Sequence, residues 1–277
     1  MADHPARTAG RPMRRRARWA PIVIVAALVF LYVPIILIAV LSFNASPIAA
    51  LPVRGLTLGW YDALLADERF RDAGIYSLEI ALISTAIAVV IGTAGALGLG
   101  RRRTSRPVSA IGYFWAVPLF VPALVLAVAL ASTFRLLDVR LSLWTIVAGH
   151  VVVNAPLVFL IVTARLRGFD WSLVQAARTL GASPAGAFRR VTLPLLAPAI
   201  IGGAILSFAI SLDNFVVSLF LTGGRSTLPL LVWSMMREGF SPTVNALATL
   251  LLVVTLAAAV VAQRLATRQP RVGGANS

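Results

Sequence analysis

The sequence predicts an all-α membrane protein with six transmembrane helices and both termini in the cytoplasm. Hydrophobic residues make up 59% of the 277 residues and charged residues only 13%, whereas a soluble domain is about half apolar and about a quarter charged. The mean hydropathy is +0.88. A chain of this composition cannot cover its surface with polar groups, so a water-soluble fold is excluded. Its apolar stretches and its arginines define the architecture.

Six stretches are apolar enough to cross a bilayer, which takes about 20 residues. They are residues 20–42, 76–100, 109–134, 142–164, 197–221 and 243–264. The first is longer than the core of a signal peptide, which has about 7–15 residues, so we expect it to remain as an anchor helix. A transmembrane domain of residues 20–264 therefore lies between a basic tail of residues 1–19 and a second tail of residues 265–277.

The arginines orient the six spans. All 25 basic residues are arginine, and the formal net charge is +15. Eighteen of them lie in the two tails, in the loop after span two and in the loop between spans four and five; seven lie on the other side. Positively charged loops stay in the cytoplasm. This asymmetry accounts for the basic charge better than binding to nucleic acid does.

The composition and the motifs also argue against an enzyme. The chain has no lysine and no cysteine, which excludes a phosphate-loop lysine, a Schiff base, a disulfide and a thiolate nucleophile. Two histidines, His4 and His150, are too few for a histidine-rich metal centre. No HExxH, GxSxG or complete dinucleotide motif is present. We therefore expect no catalytic residue, no bound metal and no cofactor on this chain.

The loop of about residues 165–196, between spans four and five, is the only long loop on the cytoplasmic side. Its first part predicts a short helix from Val174 to Leu180. Gly181 suits the left-handed position that ends such a helix. The loop is therefore either an ordinary connector with interfacial helices or a docking surface for a cytoplasmic partner.

The second part of the loop predicts another short helix. Ser183 is a good N-cap and Pro184 a good first helical residue. The helix is expected to run to about Val191, after which Leu193-Pro194 turns the chain into span five.

The spacing within this loop resembles the EAA loop of ABC-importer permeases. That loop reads Glu-Ala-Ala, three residues, Gly, nine residues, Ile, one residue and Leu-Pro. The matching residues are Gln175, Ala176, Ala177, Gly181, Val191, Leu193 and Pro194. Gln175 stands where Glu is usual, and Val191 where Ile is usual. The resemblance implies a type I ABC-importer (MetI-like) permease fold in which this loop docks on an ATP-binding subunit.

The resemblance extends over nearly the whole chain and is greatest to the PotC/PotI group of spermidine/putrescine permeases. The residues that carry it are Ser42-Phe43-Asn44, Trp60-Tyr61, Arg165-Leu166, Gly168-Phe169-Asp170, Ser211-Leu212-Asp213, Leu221-Thr222-Gly223, Leu228-Pro229, Ser241-Pro242 and Val244-Asn245-Ala246-Leu247-Ala248-Thr249. It implies a bacterial inner-membrane protein that imports polyamines. The implied partners are a second, PotB/PotH-like permease, a dimer of ATP-binding subunits that holds ATP and Mg, and a periplasmic or lipid-anchored solute-binding protein.

Two positions depart from the polyamine permeases. Ala123 follows Pro122 and Asn214 follows Asp213, at places where those permeases carry an acid. Importers of other small polar solutes therefore remain open. An ion-coupled secondary transporter is a further alternative, although no inverted repeat is evident.

Span five carries a polar stripe formed by Ser207, Ser211, Asn214 and Ser218. Asp213 lies roughly 100° or more from this stripe on an ideal helix. Such a stripe either lines a translocation path or joins packed helices by hydrogen bonds. A carboxylate in a span either attracts a cationic solute or accepts a structural hydrogen bond. We expect Asp213 or the stripe, but not both, to face the path.

Other polar and proline positions predict packing rather than chemistry. His150 and Asn154 share a face of span four, which indicates an interhelical hydrogen bond more than a metal site. Pro118 and Pro122 permit bending of span three. Outside, residues 228–240 predict an apolar interfacial or re-entrant helix.

Overall fold

A computed structural model describes residues 19–47, 51–100, 106–239 and 241–267. Within these residues every regular element is helical, apart from one isolated antiparallel bridge between Asn44 and Leu56. The predicted tails lie outside the described residues at 1–18 and 268–277, as do Arg101, Arg102 and Arg103 of the loop after span two.

The elements are numbered here in chain order. They are α1 (Ala20–Leu41), α2 (Gly59–Ala66), α3 (Glu68–Gly100), α4 (Arg106–Phe120), α5 (Ala123–Leu136), α6 (Leu143–Arg167), α7 (Ser172–Thr179), α8 (Pro184–Ala187), α9 (Leu193–Leu212), α10 (Phe215–Leu221), α11 (Leu228–Glu238) and α12 (Pro242–Thr267). A π-helical turn, Phe188–Thr192, joins α8 to α9.

Four helical stretches of the described chain are long and apolar enough to cross a membrane. They are Pro21–Leu41, Glu68–Gly100, Leu143–Arg167 and Pro184–Leu212. The bent pair of α4 and α5 makes a fifth if it counts as one span, and Pro242–Ala257 of α12 is a shorter apolar helix. The predicted first and fourth spans agree with α1 and α6 within a few residues.

The second span begins earlier than its apolar stretch predicts. The helix starts at Glu68 rather than at residue 76, because Asp67 accepts a hydrogen bond from the backbone N–H of Arg69 at 2.8 Å and so caps the first turn. The helix therefore extends beyond the apolar residues at its N-terminal end.

The third span is not the continuous helix predicted for residues 109–134. Its two halves, Phe114–Phe120 and Ala123–Leu136, meet at an angle of 110°. Pro122 lies at the break as the N-cap of α5. Proline has no N–H, and it disfavours the helical conformation of the residue before it. The predicted bending at Pro122 is confirmed, whereas Pro118 lies inside α4.

The fifth span is also interrupted, so the predicted helix over residues 197–221 is wrong. The chain leaves the helix at Asp213 and Asn214, and Asn214 is extended with φ −76° and ψ 92°. The Asn214 side chain accepts a hydrogen bond from the Val217 N–H at 3.1 Å and starts α10. Asparagine is a strong N-cap residue, and a cap here begins a new helix.

The helices α3, α6 and α9 form the centre of the fold. Gly92 of α3 allows its close contact with α6, because a Cβ there would lie 2.7 Å from the Ala155 carbonyl oxygen. Val158 and Phe159 are buried beside it. Since the loop after α6 leads into α9, the first part of span five, this centre positions both the loop and the span.

The helix predicted over residues 228–240 is present as α11, Leu228–Glu238. It packs Leu231 and Met235 against Leu64 of α2, Ala73 of α3 and Leu247 of α12. Phe240, at the end of the predicted stretch, lies outside the described residues. The short helix α11 thus joins α2 to the N-terminal parts of α3 and α12.

Candidate functional site

The hairpin of residues 172–192, in the loop predicted to be cytoplasmic, begins with α7, and Gly181 ends that helix. Gly181 has a φ of +90°, the left-handed conformation that the sequence predicts. Its N–H donates to the Arg178 carbonyl, and the Ala182 N–H donates to the Ala177 carbonyl, both at 3.0 Å. This pair of bonds is the Schellman motif, which satisfies the last carbonyls of a helix.

The second arm of the hairpin starts as predicted but ends differently. Ser183 Oγ accepts a hydrogen bond from the Gly186 N–H at 3.1 Å, and Pro184 is the first helical residue. The predicted turn at Leu193-Pro194 is wrong, because the chain stays helical from Pro184 to Leu212. Pro194 cannot donate to the carbonyl four residues before it. The preceding turn has the wider π spacing, in which the Leu193 N–H donates to the Phe188 carbonyl.

The base of the hairpin is fixed to the core. Phe169 is buried among α6 and α9 side chains, and its ring packs edge-on against Trp171 with centroids 4.8 Å apart. Asp170 accepts a hydrogen bond from the Ser172 N–H at 2.9 Å. Hydrogen bonds from the Ser172 side chain and backbone hold the pKa of the Asp170 carboxyl below its ordinary value. The hairpin therefore leaves the membrane-spanning helices at a defined angle.

The surface of the hairpin is open. Gln175, Ala176 and Gly181 are exposed, Ala177 is half-buried, and Leu180 next to the glycine is 89% exposed. At the base, Val191 is half-buried, and Leu193 and Pro194 are exposed. The first four residues of the predicted set thus lie together at the tip, while the last three lie on the continuous helix below it. Leu180 therefore leaves an apolar side chain open beside Gly181.

The serines of span five face neighbouring helices of the same chain. Ser207, Ser211 and Ser218 are buried. Ser211 Oγ lies 2.9 Å from Ser84 Oγ of α3, and Ser207 Oγ donates to Thr85 Oγ1 of α3 at 3.4 Å. These contacts join packed helices through hydroxyl groups.

Asp213 and Asn214 lie apart from the buried serines, at the break between α9 and α10. The Asp213 side chain is exposed on the surface of this chain. Asn214 is half-buried, and its side chain is used to cap α10. On one continuous helix Asp213 and the stripe would face different neighbours. Because the helix is broken at these residues, that constraint does not apply across the break.

His150 and Asn154 make the interhelical hydrogen bonds that their spacing predicts. His150 Nδ1 lies 2.6 Å from Ser211 Oγ and Nε2 lies 3.4 Å from Ser218 Oγ. Asn154 Nδ2 donates to the Ser207 carbonyl at 3.3 Å. Among the described residues, no group of three His, Cys, Asp or Glu side chains is placed to hold a metal ion.

Sequence reasoning missed the polar residues of α3 that complete these contacts. Ser84 and Thr85 bond to span five across more than 120 residues of sequence. Ser77 lies seven residues before Ser84, on the same face of α3, and accepts a hydrogen bond from the Leu228 N–H at 2.9 Å. This seven-residue spacing of serines in an apolar helix was the available signal.

The motifs Ser42-Phe43-Asn44 and Trp60-Tyr61 also come together in the structure. Trp60 Nε1 donates to the Asn44 carbonyl at 2.8 Å, and Ser42 Oγ lies 2.7 Å from the Tyr61 hydroxyl. The guanidinium of Arg225 lies 3.9 Å above the ring of Tyr76. The segment after span one is thus folded on itself, and Arg225 holds the segment after span five against α3.

Comparison with known proteins agrees with this arrangement. The family described as "Binding-protein-dependent transport system inner membrane component" matches residues 88–269. The spermidine/putrescine transport system permease protein PotC of Escherichia coli K12 is 38% identical over 214 residues, which cover 77% of this chain and 81% of PotC. The putrescine transport system permease protein PotI of the same organism is 34% identical over 244 residues, 86% of each chain.

Solved structures share the fold. A bacterial ABC transporter involved in the import of alginate aligns with a TM-score of 0.72 at 16% identity, covering 94% of this chain and 99% of that one. The MetNI methionine ABC transporter aligns with a TM-score of 0.60 at 20% identity, covering 76% and 98%. The predicted MetI-like fold is therefore confirmed at the level of helix arrangement. The chain belongs to the family of binding-protein-dependent transport system inner membrane components, as a multi-pass membrane permease and not an enzyme.

Proposed function

We propose that the chain is a permease subunit of an ABC importer that carries the polyamines putrescine and spermidine into the cytoplasm. The observation that carries this proposal is the identity of 34–38% to PotC and PotI over at least three quarters of the chain. ATP hydrolysis in a partner subunit drives the transport, and this chain supplies the membrane path.

The proposed topology has six spans with both termini in the cytoplasm. The spans are α1, α3, the bent pair α4 and α5, α6, the pair α9 and α10, and α12. The concentration of arginine in the tails and in the loops after spans two and four supports this orientation. It places the hairpin in the cytoplasm, and it places α2 and α11 on the outer side.

The hairpin is the proposed docking element for the ATP-binding subunits, which hold the ATP and Mg. Driving a gate from 1:99 to 99:1 takes about 5.5 kcal/mol of differential binding, and a loosely held loop cannot transmit it. The Schellman motif at Gly181, the Ser183 cap and the buried Phe169 support a stiff hairpin. Because Gln175 is uncharged, docking at this position relies on hydrogen bonding and shape.

The remaining partners follow from the same proposal. A second, PotB/PotH-like permease completes the membrane path, and a periplasmic or lipid-anchored solute-binding protein delivers the solute to the outer side. Asp213 is exposed on this chain and lies beside the break in span five. A carboxylate there attracts a polyamine cation, so we place Asp213 and Asn214 on the path and assign the buried Ser207, Ser211 and Ser218 to helix packing.

An importer of another small solute is the second candidate. The molybdenum transport system permease protein ModB of Mycobacterium bovis is 30% identical over 262 residues, which cover 87% of this chain and 90% of ModB. Ala123 and Asn214 also reduce the number of acids along a cation path. An ion-coupled transporter has less support, because the hairpin would have no partner to dock on.

The test is uptake of labelled putrescine and spermidine by the native cell with and without the gene. Loss of uptake on deletion, restored by the wild-type chain, supports the polyamine proposal. Asp213→Asn is then expected to raise the KM for putrescine, whereas Asp62→Asn, at an exposed acid of α2, leaves it unchanged. Unchanged polyamine uptake together with lost molybdate uptake would move the assignment to the second candidate.

A further inference from the structure

The interruption of span five leaves α10 without a helical connection to α9. Asn214 is extended, and its side chain ties only to the next turn through the Val217 N–H. Local bonds therefore start α10 but do not fix its direction relative to α9. The angle between the two helices is therefore set by contacts with neighbouring helices, either by separate packing of each helix or by a contact that reaches both sides of the break.

One buried imidazole makes such a contact. His150 of α6 places Nδ1 at 2.6 Å from Ser211 Oγ, before the break, and Nε2 at 3.4 Å from Ser218 Oγ, after it. Ser84 of α3 extends the contact through Ser211 at 2.9 Å. These four side chains are at most 4% exposed. One ring nitrogen of His150 therefore bonds to a residue before the break, and the other bonds to a residue after it.

Counting protons gives these bonds one direction. The Ser218 hydroxyl donates to the Asn214 carbonyl at 2.5 Å, so its oxygen accepts from His150 Nε2–H. A neutral imidazole carries one N–H, which makes Nδ1 the acceptor for the Ser211 hydroxyl. Ser84 Oγ lies 2.9 Å from Ser211 Oγ and 3.4 Å from the Ala81 carbonyl; because Ser211 gives its one proton to Nδ1, Ser84 is the donor in the shorter contact. The bonds run from α3 through the imidazole to the carbonyl at the break, and hydrogen bonds aligned in this way strengthen one another.

We propose that His150 is a positioning residue that clamps α10 to α9 across the break and thereby sets the direction in which Asp213 is presented. The clamp is a property of this chain alone. Its consequence for Asp213 rests on the proposed transport function.

Contacts that do not involve His150 are the competing explanation for the position of α10. Thr145 Oγ1 of α6 donates to the Leu221 carbonyl of α10 at 3.0 Å. Val217 and Leu221 of α10 are buried against Ile146 and against the helix face at Gly149. Two variants separate the explanations. His150→Leu keeps an apolar side chain in the site and removes both hydrogen bonds, whereas His150→Gln keeps one donor and one acceptor.

The measurement is the distance between spin labels on either side of the break. The chain has no cysteine, so Leu206→Cys in α9 and Leu219→Cys in α10, both at exposed positions, give one labelled pair. The full chain is labelled in its assembled complex, and the complex without these cysteines supplies the background. Pulsed electron–electron double resonance then reports the distribution of distances between the two spin labels.

We expect a single narrow distance in the parent, in His150→Gln and in the control Ser207→Ala, which removes a hydroxyl that does not reach α10. His150→Leu is expected to lose the narrow distance and give a broad one. A narrow distance in His150→Leu, equal to that of the parent, would overturn the clamp. If that variant does not assemble, the double variant Ser211→Ala/Ser218→Ala removes both arms and is judged by the same criterion. Failure of the polyamine assignment would change none of these distances.

Discussion

The hairpin and the broken span that follows it are consecutive in the chain, but the hydrogen bonds that shape them join residues at very different separations in sequence. The bonds that shape the hairpin join residues three to five positions apart. The hydrogen bonds from Ser84, Thr85, His150 and Asn154 to span five join residues 53 to 127 positions apart. Local bonds therefore define the shape of the hairpin that a partner would contact, whereas contacts with surrounding helices define the geometry around the break in span five.

The hairpin tip should be the most sensitive exposed position. Gly181→Asp puts a side chain at φ +90°, where an L-residue costs about 1–2 kcal/mol, and adds a charge to the proposed docking surface. We expect substrate uptake and substrate-stimulated ATP hydrolysis to be abolished while the chain still inserts.

Gly224→Asp is the matched control for this variant. Gly224 has a φ of +100° and open space around its missing Cβ, as Gly181 does, but the proposed topology puts it on the outer side. Its variant should retain ATP hydrolysis. Normal uptake by Gly181→Asp would remove the hairpin from the coupling mechanism.

The helix core should show the largest loss of stability. In Gly92→Ala the new Cβ meets backbone atoms of α6 at 2.7 Å and 2.9 Å, and overpacking of this kind costs about 1–3 kcal/mol. Gly98→Ala on the same helix meets nothing within 4 Å and should be neutral or stabilising. Thermal unfolding of the two variants in detergent measures the difference; equal midpoints would show that α3 and α6 can separate freely.

The shape of the hairpin should depend on its own cap. Ser183→Ala removes the acceptor of the Gly186 N–H and should cost about 1 kcal/mol locally, with little change in the stability of the spans. Hydrogen exchange at the Gly186 amide measures it. Ser183→Asp restores a capping oxygen and should restore the protection; a loss of protection in both variants would mean that the cap is not responsible.

The carboxyl of Asp67, which caps α3, should titrate with a small effect on the stability of the fold. The hydrogen bonds from the Arg69 side chain hold the pKa of Asp67 below its ordinary value of 3.8. The carboxylate is the form that the fold favours, so its contribution is present at neutral pH and is lost as the pH falls through the lowered pKa. The ¹³C shift of the Asp67 carboxyl follows this titration. Arg69→Gln should raise that pKa towards 3.8; no change would assign the shift to the backbone hydrogen bonds.

The same difference in sequence distance explains what the sequence could predict. Gly181, Ser183 and Pro184 start or end helices, and their conformations depend on near neighbours. The structure confirms the predicted role of each. Apolar length and arginine asymmetry predicted a multi-pass protein, and the EAA spacing predicted its family.

The errors occurred where hydrophobicity alone was used to draw a helix. Pro122 and Asn214 each interrupt a span that is apolar throughout, and a sum of hydropathy does not detect a proline before a helix or an asparagine cap within one. The turn predicted at Leu193-Pro194 failed for the opposite reason, since a π turn accommodates the proline. The partners of the serine stripe, Ser84 and Thr85, could not be paired with it without the fold.

Cross-linking from the hairpin tests most directly whether this region is where the ATP-binding subunit docks. Leu180→Cys at the hairpin tip and Leu136→Cys at the far end of α5 place single cysteines at side chains that are 89% and 86% exposed in the parent. With a short bifunctional reagent in the assembled complex, Leu180→Cys should cross-link to the ATP-binding subunit in a way that changes on ATP addition. Leu136→Cys should not. Cross-linking of that subunit from Leu136→Cys, with none from Leu180→Cys, would contradict both the docking site and the orientation of the chain.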